Sequence, residues 1–201
     1  MRTVDPERHA ARRGGILTAA AGVFAEHGYD GATTAAICRA AAIGSGTLFH
    51  YFPDKRSIFI ALFADDFATM QQVIASLDGV PALDAIGRLI DHLVRDVADP
   101  VAPGLVFAAI QLATRDEEFA GVLTANDDQA RAALAELLRR AGTAGDVDAT
   151  LDPVVAARWI HALVDALYFM CGDDGFEPAA EIAMLHTVVA RFLRIEAQGW
   201  A

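Results

Sequence analysis

Within residues 28–55, read as GYDGATTAAICRAAAIGSGTLFHYFPDK, hydroxyl, imidazole and ammonium groups stand close together in the chain. Thr33, Thr34, Ser45, Thr47 and Tyr51 supply hydroxyls, His50 an imidazole and Lys55 an ammonium. Hydroxyl and ammonium groups suit phosphate oxygens, and Ser or Thr can equally bond a base edge. Ser45, Gly46 and Thr47 are small enough to let a backbone approach a duplex closely. A second constellation, His161 and Asp165, stands four residues apart and could share a metal. Two ligands without a third are a weak basis for one, and a local hydrogen bond is the commoner use of such a pair. There is no phosphate-binding Gly-rich loop, HExxH pair or serine elbow, so no catalysis, cofactor or metal is expected. Cys38 and Cys171 form neither a disulfide framework nor a CxxC pair, which fits a reducing cytoplasm; Cys38 reads as a small buried residue.

Helices must hold these groups. Ile16, Leu17, Ala20, Val23 and Phe24 recur at helical spacing, and the chain is expected to leave that helix at Gly28. Residues 33–41 and 45–52 read as two short helices joined by a turn, the first capped by Thr33 and the second stopped by Pro53. That is the helix-turn-helix arrangement, whose second helix enters the major groove; Ile37, Ala41, Ile43 and Leu48 supply the close crossing. Asp54 should cap a long helix that ends near Asp78 and Gly79, and Pro81 opens another reaching Val97. Helices over residues 103–114 and 116–141 follow, the second stopped by Gly142, and Pro153 and Pro178 open the last two. The expected class is all-α with about nine helices: an N-terminal helix-turn-helix domain over 9–69, its motif at 33–52, and a helical domain over 70–201.

The chain has 201 residues, 54% of them hydrophobic and 21% charged, which excludes a disordered chain. Sixteen Lys and Arg face 27 Asp and Glu, a net charge of −11 that as an average argues against nucleic acid. The distribution is uneven. Residues 1–56 hold seven basic and five acidic residues, whereas the remaining 145 hold nine and 22, giving +2 and −13. Such asymmetry points to two parts with different partners. The first thirty residues carry charges throughout, so no signal peptide is expected, and residues 101–113 are too short to span a bilayer, so no membrane partner is expected.

The string GTLFHYFPDK, with Phe24, Gly28, Tyr29, Thr33, Ile37, Ala40 and Ala41 before it, resembles the TetR/AcrR family of transcriptional regulators over about residues 12–62. The resemblance implies that Ser45, Gly46, Thr47 and His50 face base edges while Thr34, Tyr51 and Lys55 hold the DNA backbone. Three positions depart from the family pattern. Phe49 replaces the usual tyrosine and keeps only apolar contact, Ser45 replaces a larger polar side chain, and Ala35 stands where a basic one often sits. Base readout should therefore be sparse, with Arg2, Arg8, Arg12 and Arg13 as a compensating arm or a solvated one.

For the acidic remainder the resemblance implies ligand binding and dimerisation. Trp159, Leu163, Ala166 and Leu167, with Ile182, Leu185, Val189 and Phe192, form two apolar stripes that a two-fold copy could pair, or that could pack on their own subunit. Phe63, Phe67, Met70, Phe107, Gln111, Phe119, His161, Asp165, Tyr168 and Met170 are pocket candidates, although aromatic and Met stripes are commonly plain core. The expected function is a homodimeric, ligand-responsive repressor of a palindromic double-stranded DNA operator, released by a small apolar or aromatic effector. The alternative is a helical small-molecule binder or enzyme that has lost DNA binding.

Overall fold

The computed structural model describes residues 6–194, apart from the side chain of Asp66, and every regular element within them is helical. The helices are α1 (Pro6–Gly31), α2 (Thr34–Ala40), α3 (Ser45–Tyr51), α4 (Lys55–Ser76), α5 (Ala82–Leu93), α6 (Ala102–Ala113), α7 (Glu117–Ala144), α8 (Pro153–Met170) and α9 (Pro178–Leu193). The expected all-α class and helix count agree with this.

The boundaries follow local chemistry. Gly28 breaks α1 with φ 65° and ψ 173°, a backbone that side-chain-bearing residues rarely adopt. The Thr33 hydroxyl accepts the Ala36 N–H at 3.1 Å and so caps α2. At α4 the Asp54 carboxylate accepts the Ser57 N–H at 2.7 Å while the Ser57 hydroxyl accepts the Asp54 N–H at 3.2 Å, a reciprocal cap with serine in the usual glutamate place. Two ends differ from expectation. Helix α7 runs through Gly142 and stops at Gly145, where φ is 82° and the next N–H, from Asp146, reaches back to the Ala141 carbonyl. Helix α5 ends at Leu93 rather than at Val97, which is buried from a turn instead.

The chain divides into two compact units, Met1–Asp66 with Pro103–Leu123, and Phe67–Ala102 with Thr124–Ala201. In the first, α1 to α3 and the first half of α4 pack with α6 and the start of α7. Phe24, Ile37, Leu48, Phe59 and Phe119 are fully buried there. Phe59 gathers the rings of Phe24, Tyr29, Phe63 and Phe119 at centroid distances of 4.7–5.3 Å. The second unit builds its core from α5, α7, α8 and α9, with Ile86, Leu89, Ile90, Leu134, Ile160 and Val189 fully enclosed. By length and composition alone α4 and α8 would also suit a bilayer, which inspection of residues 101–113 does not reach. Both instead contribute buried side chains to these cores.

Candidate nucleic-acid interface

The helix-turn-helix is built on two fully enclosed side chains, Ile37 from α2 and Leu48 from α3. The turn between them is tight. Ala41 N–H bonds the Ile37 carbonyl, Ile43 N–H bonds that of Cys38, and Ala42 takes φ 50°, an uncommon conformation for alanine. Burying Leu48 fixes the rotation of α3, and the opposite face then points to solvent. Ser45, Gly46, Thr47, Phe49 and His50 are all exposed on it, Phe49 to 51%. Leaving half a phenylalanine in water on a seven-residue helix is unfavourable unless something covers it. Thr34 and Tyr51 are half-buried at the ends of the motif, and Thr33 spends its hydroxyl on the α2 cap.

Lys55 is placed differently from what the resemblance implies. Its Nζ donates to the carbonyls of Tyr29 at 2.7 Å, Ala32 at 3.0 Å and Asp30 at 3.4 Å, and it sits 4.6 Å from the Tyr29 ring centroid. An ammonium has three donors, and all three are engaged with the carbonyls that follow the Gly28 break. The basic residues near the start are also not on an extended arm. Arg8, Arg12 and Arg13 lie on α1, with Arg13 paired to Asp65 and set over the Phe52 ring at 5.5 Å. Arg2 lies outside the described residues.

Behind the motif, Asp116 caps α7 by accepting the Phe119 N–H at 3.0 Å and takes a two-pronged contact from Arg56 at 2.6 and 2.8 Å. Arg56 also reaches Glu118 at 2.7 Å, and Arg115 pairs with Asp30 at 2.6 Å. The Arg56 guanidinium, followed by the Phe119 N–H, holds the Asp116 carboxyl down at about 2. Gly104 lets α6 cross α1 backbone to backbone, since a Cβ there would stand 2.3 Å from the Ala25 carbonyl oxygen. Sequence reasoning missed the Arg56, Arg115 and Gly104 contacts, because none of them is local in sequence; the Asp116 cap, three residues from its partner, is local.

Two matches then bear on the chain as a whole. Residues 16–62 match the model of the "Bacterial regulatory proteins, tetR family", and residues 83–194 match that of the "BetI-type transcriptional repressor, C-terminal". The chain belongs to the TetR family. As a TetR-family protein it is a DNA-binding transcriptional regulator. It is 31% identical over 194 residues to the HTH-type transcriptional repressor Rv1474c of Mycobacterium tuberculosis, covering 95% of this chain and 100% of that one. Among solved structures it is similar to FadR of Bacillus subtilis in complex with stearoyl-CoA, with a TM-score of 0.72, 20% identity, and 89% and 96% of the two chains covered. A regulator from Saccharomonospora viridis in complex with choline gives a TM-score of 0.77 at 17% identity, with coverage of 93% and 99%. All three are transcriptional regulators by name.

The pocket candidates of this TetR-family chain are divided between the two units. Phe63 and Phe119 lie in the first unit's ring cluster, while Phe107 is 63% exposed and Gln111 is exposed beside it. In the second unit Met70 is core and Phe67 half-buried, and the Tyr168 hydroxyl donates to the Leu93 carbonyl at 2.8 Å. Met170 is partly exposed. His161 is buried, with Nδ1 3.1 Å from Asp165 and Nε2 3.8 Å from Asp127, so the pair makes the local contact. Burial raises the Asp127 pKa above the ordinary value. Two surface grooves lie elsewhere: one includes Leu138, Val147, Leu151 and Ala156, and the other Ile74, Leu77, Ala133 and Leu137.

The apolar stripes also need correction. Leu167, Leu185 and Val189 are enclosed in their own core, and Ile182 and Phe192 pack against it. Leu167, Leu185 and Val189 are thus spent on their own core, while Ile182 and Phe192 stay partly exposed at its edge, as Leu163 does. The outward side of α8 carries Val155, Trp159, Ala162, Leu163 and Ala166, and that of α9 carries Met184 and Val188; Trp159 and Met184 are each 58% exposed.

Proposed function

We propose that the protein is a ligand-responsive repressor that binds a palindromic operator as a homodimer and leaves it when a small effector binds. The exposed face of α3 carries this reading: Ser45, Thr47, Phe49 and His50 have no role in the fold that would require their exposure. In the major groove Ser45, Thr47 and His50 can bond base edges while Phe49 covers apolar surface, and Thr34 and Tyr51 stand where backbone contacts would fall. Lys55 acts indirectly, by holding the chain after Gly28 so that the motif keeps its shape. The name of the Mycobacterium relative supports repression.

Homodimerisation is supported by the outward apolar side chains of α8 and α9, which a two-fold copy would cover. Symmetry of the protein matches symmetry of a palindrome. The DNA-reading domain spans residues 9–69 and the effector and dimer domain 70–201, with α4 running from one to the other. The neighbours crystallised with stearoyl-CoA and with choline support a small-molecule effector, and the apolar make-up of the second unit's core favours an apolar or aromatic one. An effector shifts the equilibrium only by its differential affinity for the two states. Cytoplasmic residence follows from the partner being DNA.

Footprinting of the DNA flanking the chain's own gene tests this reading. Protection of a palindrome with half-sites a helical turn or a multiple apart is the expected result. No protected site in that DNA, with a folded protein, would favour instead a helical binder that has lost DNA binding.

A further inference from the structure

We propose that His9 belongs to the DNA-binding surface, where its imidazole is stacked on Tyr51 beside His50 and makes operator affinity depend on pH. The inference rests on the operator reading above and extends it to a residue on another helix. The His9 ring lies 4.6 Å from that of Tyr51 with 37° between planes, and 6.2 Å from that of His50. His50 and Tyr51 are themselves 5.3 Å apart. One turn further along α1, Arg13 sits over Phe52. Positions 9 and 13 share a helical face, so that face is matched to consecutive residues at the end of the recognition helix. His9 is half-buried and His50 exposed, which leaves both imidazoles within reach of water or of a phosphate.

This shelf does two things. It holds the Tyr51 ring, and with it the hydroxyl that would position a phosphate. It also supplies charge, because histidine is the side chain that gains a proton between pH 8 and pH 5. The charged residues next to these rings in sequence are Glu7, Arg8, Arg12 and Arg13 on α1 and Asp54, Lys55 and Arg56 after α3. Asp65 is paired with Arg13 and Asp54 caps α4. Carboxylates, guanidinium groups and the Lys55 ammonium keep their charge between pH 6 and 8, so imidazoles and the terminal amine are what change there, and substitution of His9 singles it out among them. A phosphate beside an imidazole favours its protonated form, so DNA binding takes up protons and affinity must fall as pH rises. The expected loss is roughly three- to tenfold for each imidazole across the window.

The test uses the full chain and a duplex enriched from a random double-stranded pool by the wild type at pH 6. Dissociation constants and their salt dependence are measured at pH 6, 7 and 8 at constant ionic strength. The wild type should weaken about tenfold or more from pH 6 to 8, with a shallower salt slope at pH 8. His9→Phe keeps a ring on Tyr51 but cannot take up a proton, so it should lose more affinity at pH 6 than at pH 8 and with it part of the pH dependence. His9→Ala should bind more weakly at both ends. A His9→Phe protein with the full wild-type pH dependence, or a His9→Ala protein equal to wild type throughout, overturns the proposal. A wild type that enriches no duplex at pH 6 overturns the operator reading, and this inference with it.

Discussion

At the scale of single residues, Lys55 shows how one contact can change a functional reading. Its type and place after FPD suit a phosphate contact, yet the ammonium ties the carbonyls of Tyr29, Asp30 and Ala32 together behind the Gly28 break. Replacing it with alanine leaves carbonyls short of a donor, at a cost of roughly 1–3 kcal/mol. Chemical denaturation should register that loss, while the salt slope of DNA binding changes by less than the unit that a lost phosphate contact would remove. A slope reduced by a full unit with unchanged stability would restore the direct role. The sequence could not reveal this, because backbone carbonyls 23–26 positions away carry no signature in residue type. Thr33 was legible for the opposite reason: its partner, the Ala36 N–H, is three residues on, and capping is written in local order.

Among elements, the first unit depends on how α6 and the start of α7 meet the motif helices. Gly104 permits the α1–α6 crossing, and Gly104→Ala places a methyl group against the Ala25 backbone. Separation of the helices or a bent α6 should follow, costing about 1–3 kcal/mol in urea titrations. Asp116 gives a pH signature. Held at about 2 by Arg56 and the Phe119 N–H, it is more acidic folded than unfolded. Its contribution is therefore fully present above about pH 4 and is lost as pH falls toward 2. Stability of wild type should drop across that window more steeply than that of Asp116→Asn, and parallel curves would refute the assignment. Helix existence was legible from apolar spacing, and so were the caps at Thr33 and Asp54. The end of α7 was not, since Gly142 and Gly145 are equivalent in composition and only the positive φ and the Asp146 back-bond distinguish them.

For the molecule as a whole, the stripes on α8 and α9 were legible as apolar but not as to which way they face. Helical periodicity alone cannot tell an own-core face from a partner face when both are apolar. Burial separates Leu185 and Val189 from Met184 and Val188. Trp159→Glu, on the outward face, should leave the fold intact, halve the mass seen by sedimentation and abolish tight binding to a two-half-site duplex. A dimer of unchanged mass would place the interface elsewhere. Finally, Lys55 is the only lysine among the 201 residues. The chain's one side-chain amine is thus a latch on its own DNA-reading motif, and an acylating reagent should modify it more slowly while that latch is closed. The rate of labelling at Lys55 becomes a clock for release of the latch, read by mass on the peptide that carries it so that the terminal amine is not counted, with DNA or effector added as the experiment requires.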